Sequence, residues 1–154
     1  MTLDEIVRWF ESLTRDTAGN VGRYYAPQAF FKDPFNEVTG VAPIGRVFAH
    51  MFDQVDAPRF RILERWEASH GAMLTWEFHF RLKGADAPLV VRGASHLRFA
   101  PDGRIAFHRD YWDAAEELYA KLPVIGPVMR FLQRRGRAPA GWPPHREWPP
   151  EFDS

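Results

Sequence analysis

From Leu74 to Leu82 the chain reads LTWEFHFRL, and its apolar and polar residues alternate without a break. Leu74, Trp76, Phe78, Phe80 and Leu82 fall on one side of an extended chain, with Thr75, Glu77, His79 and Arg81 on the other. A helix would scatter both sets around its axis, so the spacing predicts a strand with one dry, aromatic face and one wet face. A dry face of this kind has to be covered by a second layer, which the rest of the sequence must provide.

The first third of the chain offers helices. Thr2 followed by Glu5 makes a capping box, and Ile6, Phe10 and Leu13 recur at helical spacing, so a first helix is expected from Leu3 to Thr17, ended by Gly19. A shorter helix or turn covers Val21 to Tyr25 and stops before Pro27. Ala29 to Asp33 reads as a short extended piece ending at Pro34. A third helix fits Pro43 to Val55, with Ile44, Val47, Phe48 and Met51 on one side.

Beyond it the period changes from helix to strand. Phe60 and Ile62, with Leu63, belong to one strand, and Leu89–Phe99 and Ile105–Trp112 to two more, joined through Asp102-Gly103, a tight-turn dipeptide. Three helices followed by a run of antiparallel strands give an α+β domain over residues 1–113, with helices on one face of a curved sheet. In residues 114–154, Ala114–Lys121 reads as a short helix broken by Pro123. VIGPVMRFLQRR then offers an apolar side and a cluster of arginines, and a Pro/Trp-rich tail holds Trp142 and Trp148. This segment is expected to pack on the same domain.

Composition removes several functions. There is no cysteine, which excludes disulfides, thiolate metal sites and cysteine nucleophiles. Lys+Arg and Asp+Glu both number 20, so no overall charge favours nucleic acid. The acidic, interrupted N-terminus is unlike a signal peptide, and no stretch reaches the ~20 apolar residues of a membrane span. A cytoplasmic protein is expected.

The segment RYYAPQAFFKDPFNEVTGVAPIGRVFAHMF resembles the ketosteroid isomerase part of the nuclear transport factor 2 superfamily, with its aromatic-Ala motif, Asp-Pro-Phe turn, Gly and helix. LRFAPDGRIAFHRDYW is similar to the family's last hairpin and its terminal Tyr-Trp. The resemblance, to SnoaL-like domains among others, implies a cone of three helices on a curved sheet, one apolar pocket, no cofactor, and dimers formed through the outer sheet face. It makes Asp33 the general base, with a pKa raised by Phe31 and Phe35, although Asp before Pro is equally a turn residue. It also places Ser95 where the family has a protonated carboxylic acid, Phe48 where a supporting tyrosine stands, and Trp9 at the main phenol. Serine and indole donate hydrogen bonds without that acidity, so steroid isomerisation is not the expected reaction.

If Trp112 faces the pocket, alternation puts Asp110 and His108 on the same side, where Asp33, His108 and Asp110 could converge as acid–base residues; a structural ion pair is the competing reading. Trp9, Phe48, Leu74, Trp76, Phe78, Ser95 and Trp112 are the expected ligand-binding residues, and Phe80 and Phe107 belong with the apolar set. The six histidines show no compact metal motif, so no metal is expected. The functions left open are cofactor-free proton transfer on a small hydrophobic compound, binding of such a compound without turnover, and a dimeric interaction protein.

Overall fold

A computed structural model describes residues 1–117 and 126–136 of the chain. Helix α1 (Leu3–Glu11) starts at the expected capping box: Glu5 N donates to Thr2 Oγ1 and Thr2 N donates to Glu5 Oε2. It buries Leu3, Ile6, Trp9 and Phe10 and ends well before Thr17. The reason is local: the Ser12, Thr14 and Thr17 hydroxyls bind nearby backbone groups, Thr14 N donating to Thr17 Oγ1 at 2.7 Å, and so compete with helical hydrogen bonds. A 3-10 turn (Thr17–Asn20) and α2 (Val21–Tyr24) follow.

Strand β1 (Tyr25–Lys32) leaves α2 directly and so begins earlier than expected. It tolerates Pro27 because its pairing slips between Tyr25 and Phe30, where no ladder hydrogen bond is required of the proline. The Asp33–Asn36 turn then folds β2 (Glu37–Thr39) back on it, a strand too short to leave a periodic signal. Helix α3 (Val41–Gln54) starts at Gly40, whose φ of 98° is open to glycine at no steric cost. It buries Ile44 and Phe48.

Four long strands complete the chain's main body: β3 (Val55–Ala68), β4 (Gly71–Leu82), β5 (Pro88–Phe99) and β6 (Ile105–Tyr111). The sheet order is β2-β1-β6-β5-β4-β3, antiparallel throughout except for the parallel pair β1/β6. Helices cover its concave face, which makes the α+β cone expected of the nuclear transport factor 2-like fold. The core on that face joins Ile6, Val21, Tyr25, Ile44, Leu74, Leu97 and Ile105, and a second apolar cluster lies around Trp76, Phe78, Phe80 and Val91. At the outer edge, Glu11 at the end of α1 accepts from Ile62 N of β3 at 3.0 Å, beside a register shift between Ile62 and Glu64.

The alternation in β4 holds. Leu74, Trp76, Phe78 and Phe80 are buried, whereas Glu77 on the outer face is paired with His79 and Arg92. Phe107 departs from expectation. With His108 turned inward its neighbour must point out, and Phe107 stacks on Phe30 and meets His96 on the outer face. Helix α4 is described over Ala114–Glu117, with the rest of the helix expected to Lys121 lying outside the described residues, and Val128, Phe131 and Leu132 of α5 (Gly126–Gly136) are exposed. The expected tail with Trp142 and Trp148 lies outside the described residues.

Gly93 has a structural duty in β5. A Cβ there would come within 2.5 Å of the Trp76 ring and 3.0 Å of the Tyr111 carbonyl oxygen. Gly93→Ala should therefore cost about 1–3 kcal/mol by overpacking. A urea titration showing no loss would mean that the indole can move aside freely.

Candidate functional site

Strand β6 sets two polar side chains against the apolar interior. Alternation turns His108 and Asp110 inward, and the parallel pairing Phe31↔His108 and Lys32↔Arg109 brings Asp33, the next residue of the β1 side, level with Asp110. His108 is 3% exposed and is surrounded by the rings of Phe10, Phe31 and Tyr25. Burying a polar ring this deeply is costly unless its nitrogens are bonded, and both are. Tyr25 Oη lies 2.6 Å from Nδ1, and Asp110 Oδ1 lies 2.8 Å from Nε2.

Asp110 extends the chain of hydrogen bonds. Its Oδ1 also accepts from Ser95 Oγ at 2.5 Å, and Ser95 accepts from Trp76 Nε1 at 2.8 Å. The Trp76 indole can lie along β5 to reach this serine because Gly93 leaves the space open. Tyr25, His108, Asp110, Ser95 and Trp76 thus form one buried polar line drawn from β1, β4, β5 and β6. Burial pushes the Tyr25 phenol well above its ordinary pKa, and the negative charge of Asp110 adds to the effect.

The line ends at a cavity of about 410 Å³, bounded by β3, β4, β6 and α3, a volume suited to a metabolite. Its wall includes Phe48, Phe60, Trp76, Phe78 and Trp112, with Asp110 and Asp33 as its carboxylates. Asp110 Oδ2 has no hydrogen-bond partner among the described residues. Asp33, Asp110 and Trp112 also border a shallower groove outside, and thus sit at the mouth.

The expected site residues divide accordingly. Asp33, Phe48, Trp76, Phe78, Asp110 and Trp112 line the cavity. His108 and Ser95 stand behind Asp110 and hold it, without lining the wall. Trp9 and Leu74 are packed in the core instead: Trp9 stacks on Tyr24 at 4.3 Å, and its buried Nε1 has no partner among the described residues. Asp33 serves its turn, with Oδ1 accepting from Phe35 N at 2.7 Å and Asn36 N at 2.5 Å and Oδ2 accepting from Asn36 Nδ2 at 3.0 Å. Sequence reasoning missed Tyr25, which reaches His108 only through the non-local pairing of β1 with β6. Among the described residues no group of three His, Asp or Glu side chains is placed to hold a metal ion.

Residues 6–108 match the SnoaL-like domain. The chain belongs to that family. Several solved structures share its fold. A protein of ketosteroid isomerase-like fold from Catenulispora acidiphila DSM 44928, in complex with trimethylamine, has a TM-score of 0.68 at 20% identity, over 77% of this chain and 92% of that one. A nuclear transport factor 2-like protein of unknown function from Burkholderia pseudomallei K96243 gives 0.66 at 16%, over 75% and 95%. A Shewanella putrefaciens CN-32 protein named for SnoaL-like polyketide cyclases gives 0.62 at 17%, over 77% and 97%. No curated protein matches the sequence. At these identities the structures establish the fold of this SnoaL-like chain and leave its chemistry to its own residues.

Tyr25→Phe removes the hydroxyl that bonds His108 Nδ1 and should destabilise the protein by about 1–3 kcal/mol. The pH dependence has a definite sign. With its folded pKa raised above 10.0, Tyr25 keeps a proton that the unfolded chain gives up, so its contribution to stability is complete below about pH 10 and lost as pH rises beyond it. Urea titrations across that range should show a steeper alkaline loss in the parent protein than in Tyr25→Phe. Parallel curves would remove Tyr25 from the alkaline transition.

Proposed function

We propose that this SnoaL-like protein takes a small, largely apolar molecule into its cavity and transfers a proton within it without a cofactor, Asp110 acting as the base. What carries the reading is the state of one carboxylate. Asp110 Oδ1 is held by Ser95 and His108, while Oδ2 is left unpaired among the described residues at the wall of an aromatic cavity. Oδ2 takes the proton from a carbon acid of the bound molecule and returns it to another atom of the same molecule, which is chemistry of the isomerase, cyclase and dehydratase type. His108, Ser95, Trp76 and Tyr25 are positioning residues. Apolar walls keep bulk water from competing for the proton.

The resemblance to ketosteroid isomerases assigns the base to Asp33. The hydrogen bonds favour Asp110, since Asp33 already accepts from two backbone N–H groups and from Asn36. 5-Nitrobenzisoxazole separates the two: ring opening begins when a base removes its C–H proton, the N–O bond breaks, and a coloured phenolate forms. Asp110→Asn should lower that rate by about a hundredfold, and Asp33→Asn by less than about tenfold. An equal loss in both variants, or a parent rate no better than that of acetate, would sink the assignment.

The reading includes a homodimer. Pairing aligns Trp66, Met73 and His96 in one row across the outer face, and Phe107, Phe30 and Tyr111 lie beside it. Trp66 is 53% and Tyr111 46% exposed, which is a large apolar area for a sheet to leave in water. Sedimentation at micromolar concentration should report a dimer, and Met73→Glu should shift it toward monomer. A parent protein that sediments as a monomer would refute this part of the reading.

A further inference from the structure

The hydrogen-bond partners of Tyr25 bear on the charge at the cavity wall. Tyr25 is fully buried, and among the described residues its hydroxyl has a single partner, His108 Nδ1. A doubly protonated imidazole would have to donate Nδ1–H to the phenol oxygen, leaving the phenol's own proton buried with no acceptor. A neutral imidazole satisfies both groups: Tyr25 O–H donates to Nδ1, and His108 Nε2–H donates to Asp110 Oδ1. In that neutral form His108 orients the Asp110 carboxylate and brings no positive charge to offset it.

Nothing else in the wall offsets it either. The cavity contains a second carboxylate, Asp33, and no Lys or Arg among the described residues that line it; His50, exposed at the rim, is its remaining titratable group. Lys32 and Arg109 border the outer groove and have partners there, Lys32 pairing with Glu37 and Arg109 lying over the Tyr111 ring at 4.7 Å. The rest of the wall is dominated by rings, with Phe35 and Trp112 meeting edge to face at 5.3 Å near the mouth. Ring faces attract cations, and a water-poor cavity strengthens the pull of a carboxylate on a cation. An anion would be repelled here, and a neutral hydrophobe would fill the space while leaving the carboxylate unanswered.

From the neutral His108, the two unneutralised carboxylates and the aromatic wall, we infer that the ligand of this cavity is an organic cation, an alkylated amine or quaternary ammonium compound. Its charged head lies between Asp110, Asp33 and the Trp112 ring, and its apolar body lies against Phe60 and Phe78. The inference rests on the reading of this cavity as the ligand site and goes beyond it by naming the class of ligand.

Choline and 3,3-dimethylbutan-1-ol test it, because they share a shape and differ in charge. Each is titrated into the full chain and followed by tryptophan fluorescence and calorimetry. Choline should bind about tenfold tighter or more. The preference should fall toward unity in Asp110→Asn and narrow in Asp33→Asn, while Trp112→Leu should weaken choline more than the alcohol. Should Asp110→Asn fail to fold, the Asp33→Asn and Trp112→Leu comparisons decide. Equal or tighter binding of the alcohol overturns the inference, as does the absence of saturable binding by choline or a choline preference unchanged in all three variants. None of these outcomes touches the action of Asp110 on the uncharged nitrobenzisoxazole, so the two readings fail separately.

Discussion

The parallel pairing of β1 with β6 is the joint on which the site depends. Every other strand contact is antiparallel, and without this one the N-terminal helices and their strand would have no ladder linking them to the β3–β6 meander. The same pairing sets Phe31 beside His108 and carries Asp33 to the level of Asp110. It also fixes the end of β1 from which Tyr25 reaches inward. Two segments far apart in the chain thereby share one wall, at the entropic cost of closing a long loop.

Around that joint the molecule accepts an expense that apolar cores avoid. A histidine and a carboxylate next to aromatic rings would destabilise the fold if left unpaired, and they are tolerated because each finds partners on neighbouring strands. Trp76 and Tyr25 close the two ends of the line, each with a large apolar body and one polar tip. Among the described residues Asp110 Oδ2 is the atom of the line without a partner, and Asp110 lines the cavity. Hydrogen bonding thus positions this carboxylate, and ring packing shapes the space in front of it.

What the sequence made legible follows from the range of the forces involved. The inward face of β4, the hairpin at Asp102-Gly103 and helix α3 are written in short periods and turn residues, and the structure has them where expected. The second half of β3 was not legible, because Glu64, Arg65, Trp66 and Glu67 lie exposed on an edge strand and show no alternation. Strand β2 is too short, and the early end of α1 turned on hydroxyl groups whose choice between helix and turn is local but closely balanced. At the site, alternation alone joined His108 to Asp110, whereas Tyr25 needed a parallel pairing that no local pattern announces. Trp9 and Leu74 were carried into the ligand set by family position and by face, and neither reveals how deep in the cone a side chain lies.

The contact between Glu11 and Ile62 N bears on how the free edge of the sheet is kept from pairing with other strands. Strand β3 is a long outer strand, and such strands offer unpaired N–H and C=O groups to any extended segment that passes. Glu11 occupies one of those N–H groups from the side, and the neighbouring register shift breaks the regular spacing that an added strand would need. The last turn of α1 therefore acts as a guard against edge-to-edge stacking as well as a part of the core's cover. Fraying of that turn would return the Ile62 N–H to the open edge before the sheet itself lost a single pairing.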